Sequence, residues 1–142
     1  MLAIKKNQHT VSAFAPATCG NVVVGFDILG CALEGLGDTV SLQLRDDHQL
    51  IIEEITGQSS ALTLPKDAQS NVASYVLFRL LSDYDCRQGF TIRIHKGIPL
   101  GSGLGGSAAS AVAALVAFNA FLEVPLPLTV LRQYALLGEA LA

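Results

Sequence analysis

The sequence predicts an α+β fold, and three observations predict it. Stretches with the two-residue alternation of half-buried strands dominate the early chain, and the region after Ser107 is helical in pattern. Strand and helix patterns do not alternate regularly, which argues against a doubly wound parallel sheet. Hydrophobic residues make up 51% of the 142 residues and charged ones 15%, a composition that folds around a core and is unlike that of a disordered chain.

The first extended stretch is Val11 to Ala15, which Pro16, lacking an N–H, is expected to end. Gly20 to Gly37 is punctuated by glycine and reads as irregular loop passing into strand. From Thr39 to Arg45 the alternation is strict, with Val40, Leu42 and Leu44 on one face and Ser41, Gln43 and Arg45 on the other. Asp46-Asp47-His48 reads as a turn, and Leu50 to Ile55 as the returning strand of a hairpin, blurred by Glu53 and Glu54. After a polar loop from Gly57 to Asp67, apolar residues at Val72, Ala73, Val76, Leu77, Leu80 and Leu81 mark one side of a helix ending near Asp83, with Ser70 as its N-cap. Phe90, Ile92 and Ile94 alternate with Thr91, Arg93 and His95 in a further strand. Ser107 to about Leu122 is alanine-rich and apolar nearly all round, as suits a helix at the centre of a core. Pro125 and Pro127 separate it from a last amphipathic helix. That helix begins at Thr129, is apolar at Val130, Leu131, Tyr134, Leu137 and Leu141, and meets no stop signal before Ala142.

Nine Lys and Arg against twelve Asp and Glu, a net charge of −3 and no basic run give no electrostatic footprint for nucleic acid or an anionic membrane. The best candidate span, Ala108 to Leu122, is interrupted by Ser110 and Asn119 and falls short of the roughly 18 apolar residues a membrane needs. Met1 to Thr10 leads into no long apolar stretch, so no export signal is visible. Cys19, Cys31 and Cys86 are odd in number and lack metal-ligand spacing, which disfavours a disulfide framework or a zinc site and suits a reducing cytoplasm. Cys19 reads as a small apolar loop residue, and His9, His48 and His95 form no cluster.

The strongest chemical signal is Pro99-Leu100-Gly101-Ser102-Gly103-Leu104-Gly105-Gly106-Ser107-Ala108-Ala109, which joins a strand to a helix. Glycines let backbone approach an anion closely, and a helix N-terminus presents unpaired N–H groups with partial positive charge. A phosphate cradle is the functional reading, and a tight connection without ligand is the plain one. Gly101, Gly103 and Gly106 satisfy G-x-G-x-x-G, but Glu123, at the right distance for a dinucleotide site, leads into Val-Pro-Leu-Pro-Leu and another helix where a second parallel strand is required. A Walker A loop fails because Ser107 and Ala108 stand where Lys and Ser/Thr are needed.

Pro99-x-x-x-Gly103-Leu104-Gly105-Gly106-Ser107-Ala108-Ala109 resembles the phosphate-binding motif Pro-x3-Gly-Leu-Gly-Ser-Ser-Ala-Ala of the GHMP kinases (galactose, homoserine, mevalonate and phosphomevalonate kinases), with Gly106 in place of the first serine. Ala15-Pro16-Ala17-Thr18-Cys19-Gly20-Asn21-Val22-Val23-Val24-Gly25-Phe26-Asp27-Ile28-Leu29-Gly30 is similar to the pattern of the homoserine branch of that family. The resemblance implies a GHMP kinase N-terminal domain of the ribosomal protein S5 domain 2-like kind, a mixed sheet packed against helices over residues 1–142. It also implies ATP and Mg²⁺ as cofactors, L-homoserine as substrate, O-phospho-L-homoserine as the product in threonine biosynthesis, and a homodimer for the full-length enzyme.

Residue by residue, the resemblance puts Pro99, Gly101, Ser102, Gly103, Leu104, Gly105, Gly106, Ser107 and Ala108 on the nucleotide phosphates, and Asn21 and Asp27 on the amino acid. Gly138-Glu139-Ala140 resembles a helix on which the glutamate holds or neighbours Mg²⁺, so that Ser107 and Glu139 would be the metal and catalytic pair. Asn71 and Val72 would lie near the adenine and Lys96 would reach the nucleotide. The plain alternatives stand beside each: a turn for Asn21, a loop or cap carboxylate for Asp27, a solvent-facing Glu139, an ordinary helix start at Asn71, a surface lysine at 96. No catalytic base is assignable. A kinase for another small alcohol, of mevalonate or sugar type, and a non-catalytic nucleotide-binding module of the same fold are the competing functions. Together with the open-ended last helix, the resemblance marks the chain as the N-terminal portion of a longer kinase whose C-terminal domain is absent. Alone, it is expected to be inactive, to bind nucleotide weakly at best, and to self-associate or be poorly soluble.

Overall fold

The computed structural model describes residues 1–25, 28–57 and 63–141. Its elements are β1 (Thr10–Cys19), a 3-10 turn (Val23–Gly25), β2 (Cys31–Arg45), β3 (Leu50–Gly57), α1 (Val72–Asp83), β4 (Gly89–Lys96), α2 (Gly106–Phe121) and α3 (Leu128–Glu139). The α+β reading holds. The four strands form one mixed sheet in the order β1-β2-β4-β3, antiparallel except for the parallel pair β3/β4.

The expected hairpin between Thr39–Arg45 and Leu50–Ile55 does not form, because β4 lies between those two strands. The chain does reverse after Arg45, with His48 in the left-handed region at φ 59°, but the strands diverge and leave room for β4. β1 also runs on through Pro16 to Cys19. It is an edge strand, where a missing N–H costs no ladder bond, and its register shifts between Pro16 and Thr18. At α1 the N-cap is Asn71, not Ser70: its side chain accepts from the Ala73 N–H at 3.1 Å. The last helix ends at Glu139, with Ala140 as its C-cap and a turn from the Leu141 N–H to the Gly138 carbonyl, short of the expected run to Leu141 and beyond.

One face of the sheet is apolar and covered. Across β2/β4 the pairs Leu44/Phe90, Leu42/Ile92 and Val40/Ile94 form a row beneath α2, and Phe90 meets the ring of Phe118 edge-on at 5.8 Å and that of Phe121 at 5.3 Å. The other face carries polar side chains such as the hydrogen-bonded pair Ser12/Ser41 and the ion pair Arg93/Glu53. α2 packs on the sheet and on α1, and α3 packs on α1 and α2. The C-terminal end of α2 is closed by the N-terminal segment: the Lys5 ammonium donates to the Ala120 carbonyl at 3.0 Å, a cation at the negative helix end. No described helix is long and apolar enough to cross a membrane.

α3 is fastened to α1 by the Tyr134 hydroxyl, which donates to Asp83 Oδ2 at 2.9 Å. Burial and the adjacent carboxylate push the phenol up to about 12 from an ordinary value of 10.0. The fold thus favours the neutral phenol, and its contribution is intact below pH 10 and lost as the pH rises from about 10 through about 12. Melting temperature should fall across that window in the wild type, and Tyr134→Phe should flatten this part of the profile.

Candidate active site

The apolar row of the sheet ends in a charged pair. Asp38 and Lys96 are directly opposite across β2/β4, two register positions beyond Val40/Ile94 and so on the same face, and both are buried, at 0% and 3% exposure. The Lys96 ammonium bonds to Asp38 Oδ2, to the Gly106 carbonyl at 2.9 Å and to Ser110 Oγ at 2.9 Å. The carboxylate also accepts from the Ile98 N–H at 3.0 Å and from the Ser110 hydroxyl at 2.8 Å. Ile98 enters the glycine loop and Gly106 leaves it, so one buried ion pair holds both ends of the segment between them.

Within the loop Gly101, Gly103 and Gly105 have φ near +70°, a conformation that disfavours other residues. Gly101 and Gly103 face open space, whereas a Cβ on Gly105 would lie 2.5 Å from Thr18 Oγ1. The Thr18 N–H donates to the Leu104 carbonyl at 2.9 Å, which docks the end of β1 on the loop. The exposed loop backbone therefore lies over the positive end of the 16-residue helix α2, an arrangement suited to an anion.

Gly106, the departure from the family motif, is the first residue of α2. A Cβ there would sit 3.4 Å from Ile98 Cγ2 and 3.5 Å from Lys96 Nζ, ordinary contacts. Gly106→Ser and Gly106→Ala should accordingly fold, gaining up to about 1 kcal/mol from reduced chain entropy in the unfolded state. Chemical denaturation checks this, and a loss of stability would show the position to be tighter than its geometry.

Ser107 and Glu139, far apart in sequence, come together. The Ser107 hydroxyl donates to Glu139 Oε1 at 3.1 Å, joining the first turn of α2 to the last residue of α3. Gly138 permits the approach: a Cβ there would lie 2.9 Å from Val76 Cγ1, 3.0 Å from Val72 Cγ1 and 3.3 Å from the Ala111 Cβ. A carboxylate and a hydroxyl are an oxygen-only donor set of the kind a hard cation takes. Among the described residues no three His, Cys, Asp or Glu side chains converge, so most ligands of a Mg²⁺ here would be water and phosphate oxygens, as that ion commonly accepts.

Ser107 also lines a cleft of about 260 Å³ with Leu64, Pro65, Asn71, Val72 and Lys96. That is below the roughly 300–1,000 Å³ of a pocket enclosing a drug-sized ligand, and it suits one end of an elongated molecule whose remainder lies along the loop. Asn71 is buried, and besides capping α1 it donates to the Pro65 carbonyl at 3.0 Å, shaping one wall. Asn21 is exposed, just beyond the docked end of β1, and Asp27 lies outside the described residues. Lys96 is not at the surface: its ammonium points inward, beneath the loop. Sequence reasoning passed over Asp38, Ser110, Thr18 and the packing role of Gly138. The cross-strand pairing that joins Asp38 to Lys96 has no local sequence signal.

The family profile for the GHMP kinases N-terminal domain matches residues 71–142. Over 134 residues the chain is 48% identical to a homoserine kinase of Xylella fastidiosa, a match covering 94% of this chain and 41% of the relative. The crystal structure of homoserine kinase from Cytophaga hutchinsonii superposes with a TM-score of 0.88 at 41% identity, over 100% of this chain and 44% of the other. Lactococcus lactis galactokinase shares the fold alone, with a TM-score of 0.70 at 19% identity, over 92% of this chain and 37% of the other. The chain thus spans less than half the length of the curated relatives it matches. With its glycine loop on the start of α2 and the family profile covering half its length, this chain belongs to the GHMP kinases, as an N-terminal domain of that family.

Proposed function

We propose that this chain supplies the nucleotide-binding part of an ATP- and Mg²⁺-dependent kinase that phosphorylates the side-chain hydroxyl of L-homoserine. The observation that carries the reading is the bond from Thr18 to Leu104: it seats the end of β1, where the homoserine-like pattern begins, directly against the glycine loop. The 48% identity to a homoserine kinase favours that acceptor over mevalonate or a sugar.

Phosphoryl transfer asks a protein chiefly for positioning and charge stabilisation. The N–H groups from Gly101 to Ser107 and the positive end of α2 hold the phosphates, and the 260 Å³ cleft takes the base between Asn71, Val72 and Leu64. Ser107 and Glu139 are the residues that would hold Mg²⁺, which would supply charge neutralisation at the phosphates. Asn21 and Asp27 orient the acceptor by hydrogen bonds to its ammonium and hydroxyl. The γ-phosphoryl passes to the homoserine oxygen as the hydroxyl proton leaves to solvent, and ADP departs. Groups for the substrate carboxylate would come from the C-terminal portion that the relatives have and this match does not span.

Calorimetry of the 142-residue chain with ATP, with and without Mg²⁺, tests the nucleotide half, and homoserine-dependent ADP release from the chain joined to a relative's C-terminal portion tests the acceptor. Binding that needs the glycine loop, and turnover with homoserine but not mevalonate or galactose, is expected. No nucleotide binding by either form would leave a scaffold of the same fold as the better reading.

A further inference from the structure

Cys19 and Cys31 are opposite residues in the antiparallel β1/β2 pair, at the neck of the segment Gly20–Gly30. Neither takes part in a disulfide, Cys31 being exposed and Cys19 half-buried. We propose that these two thiols form a reversible disulfide site that closes the neck of that segment in response to low-molecular-weight disulfides such as oxidised glutathione.

Geometry carries the proposal. Directly opposite residues of an antiparallel pair project from the same face of the sheet, with Cα atoms about 4.5 or 5.5 Å apart according to the pair type. Both values lie within the roughly 4.4–6.8 Å over which a disulfide forms. The pair ends its ladder, beyond the register shift at Pro16/Thr18, where backbone can adjust without disturbing the core row. Cys86 does not compete within the molecule. It sits just before β4, whose first residue Gly89 pairs with Arg45 at the other end of β2, and at about 3.3 Å per residue a 15-residue strand separates its ends by tens of ångströms.

The chemistry balances. One cysteine thiolate attacks glutathione disulfide, forming a protein–glutathione bond and expelling one glutathione thiolate. The second cysteine, its proton lost to solvent, attacks the protein sulfur of that mixed disulfide and expels the second glutathione. Two protein thiols are oxidised and one glutathione disulfide becomes two glutathiones. Asn21 and Asp27 lie inside the closed segment, so the acceptor side of the proposed reaction is the part this bond constrains; formation of the bond itself does not depend on that reading.

The test incubates the 142-residue chain, and its Cys86→Ser variant, with glutathione disulfide and glutathione in graded ratios, blocks free thiols by alkylation, and maps peptides without reduction. A Cys19–Cys31 linked peptide as the main product in both proteins is expected, reversed by excess glutathione, with amide exchange across residues 20–30 slowed several-fold and that of α1 unchanged. Cys31→Ser should leave a stable glutathione adduct on Cys19 instead. Separate glutathione adducts on both cysteines of the wild type, a bond to Cys86, or intermolecular crosslinks as the main product would overturn the proposal, whether or not the chain binds homoserine.

Discussion

Asp38→Ala is expected to cost this chain about 3–5 kcal/mol, the usual loss when one partner of a buried ion pair is removed and the other stays buried. Against total stabilities of about 5–15 kcal/mol, that leaves a marginal or unfolded protein. The reason is specific: with the carboxylate gone, the Lys96 ammonium keeps only the Gly106 carbonyl and the Ser110 hydroxyl, and the Ile98 N–H loses its acceptor inside the core. The double replacement Asp38→Asn with Lys96→Met removes the stranded charge and should recover a substantial part of the loss. Urea unfolding of the single and double variants measures both quantities. A loss below about 1 kcal/mol for Asp38→Ala would mean that water reaches the pair.

Gly138→Ala is the second large effect, and it separates packing from chemistry. Alanine is the better helix former by about 1 kcal/mol, but its methyl would press on Val76 and Val72 at 2.9 and 3.0 Å, atoms of β-branched side chains with little freedom to turn away. Overpacking of this kind costs about 1–3 kcal/mol, so the net change is expected to be destabilising despite the gain in propensity. α3 should shift away from α1 and α2, taking the Glu139 carboxylate out of reach of Ser107. Nucleotide affinity in the presence of Mg²⁺ should then drop about tenfold, in the range seen when groups supporting a metal site are lost, while affinity in EDTA stays level. Glu139→Gln should reproduce the Mg²⁺-dependent loss without the loss of stability. If Gly138→Ala loses stability but keeps its Mg²⁺-dependent affinity while Glu139→Gln loses it, the close approach at Gly138 does not position Glu139.

The elements were legible in the sequence where periodicity is local, and their arrangement was not. Val40, Leu42, Phe90, Ile92 and Ile94 announced themselves by alternation, and all five are buried. Nothing in Asp46-Asp47-His48, however, distinguishes a turn that closes a hairpin from one that leaves a strand-wide opening, because the inserted strand comes some forty residues later. Pro16 misled for a related reason: whether proline ends a strand depends on whether that strand is at an edge, and only the assembled sheet decides this. In the glycine loop the motif named the residues that face outward. The groups that hold it in place, Asp38 and Ser110, were silent, since a lone aspartate before an alternating run looks like any loop acid until the register sets it opposite Lys96.

The strand order has a consequence in time. As the chain is made, β1 and β2 can pair at once, but β3 has no neighbour until β4, following α1, arrives between β2 and β3. Two of the three ladders therefore wait on contacts of long sequence separation, the kind that slows folding. β4 acts as a keystone, and the glycine loop hangs directly from its end. Assembly of the sheet and assembly of the phosphate-facing loop thus become one event: a nascent chain that has not yet inserted its central strand has no anion site to offer.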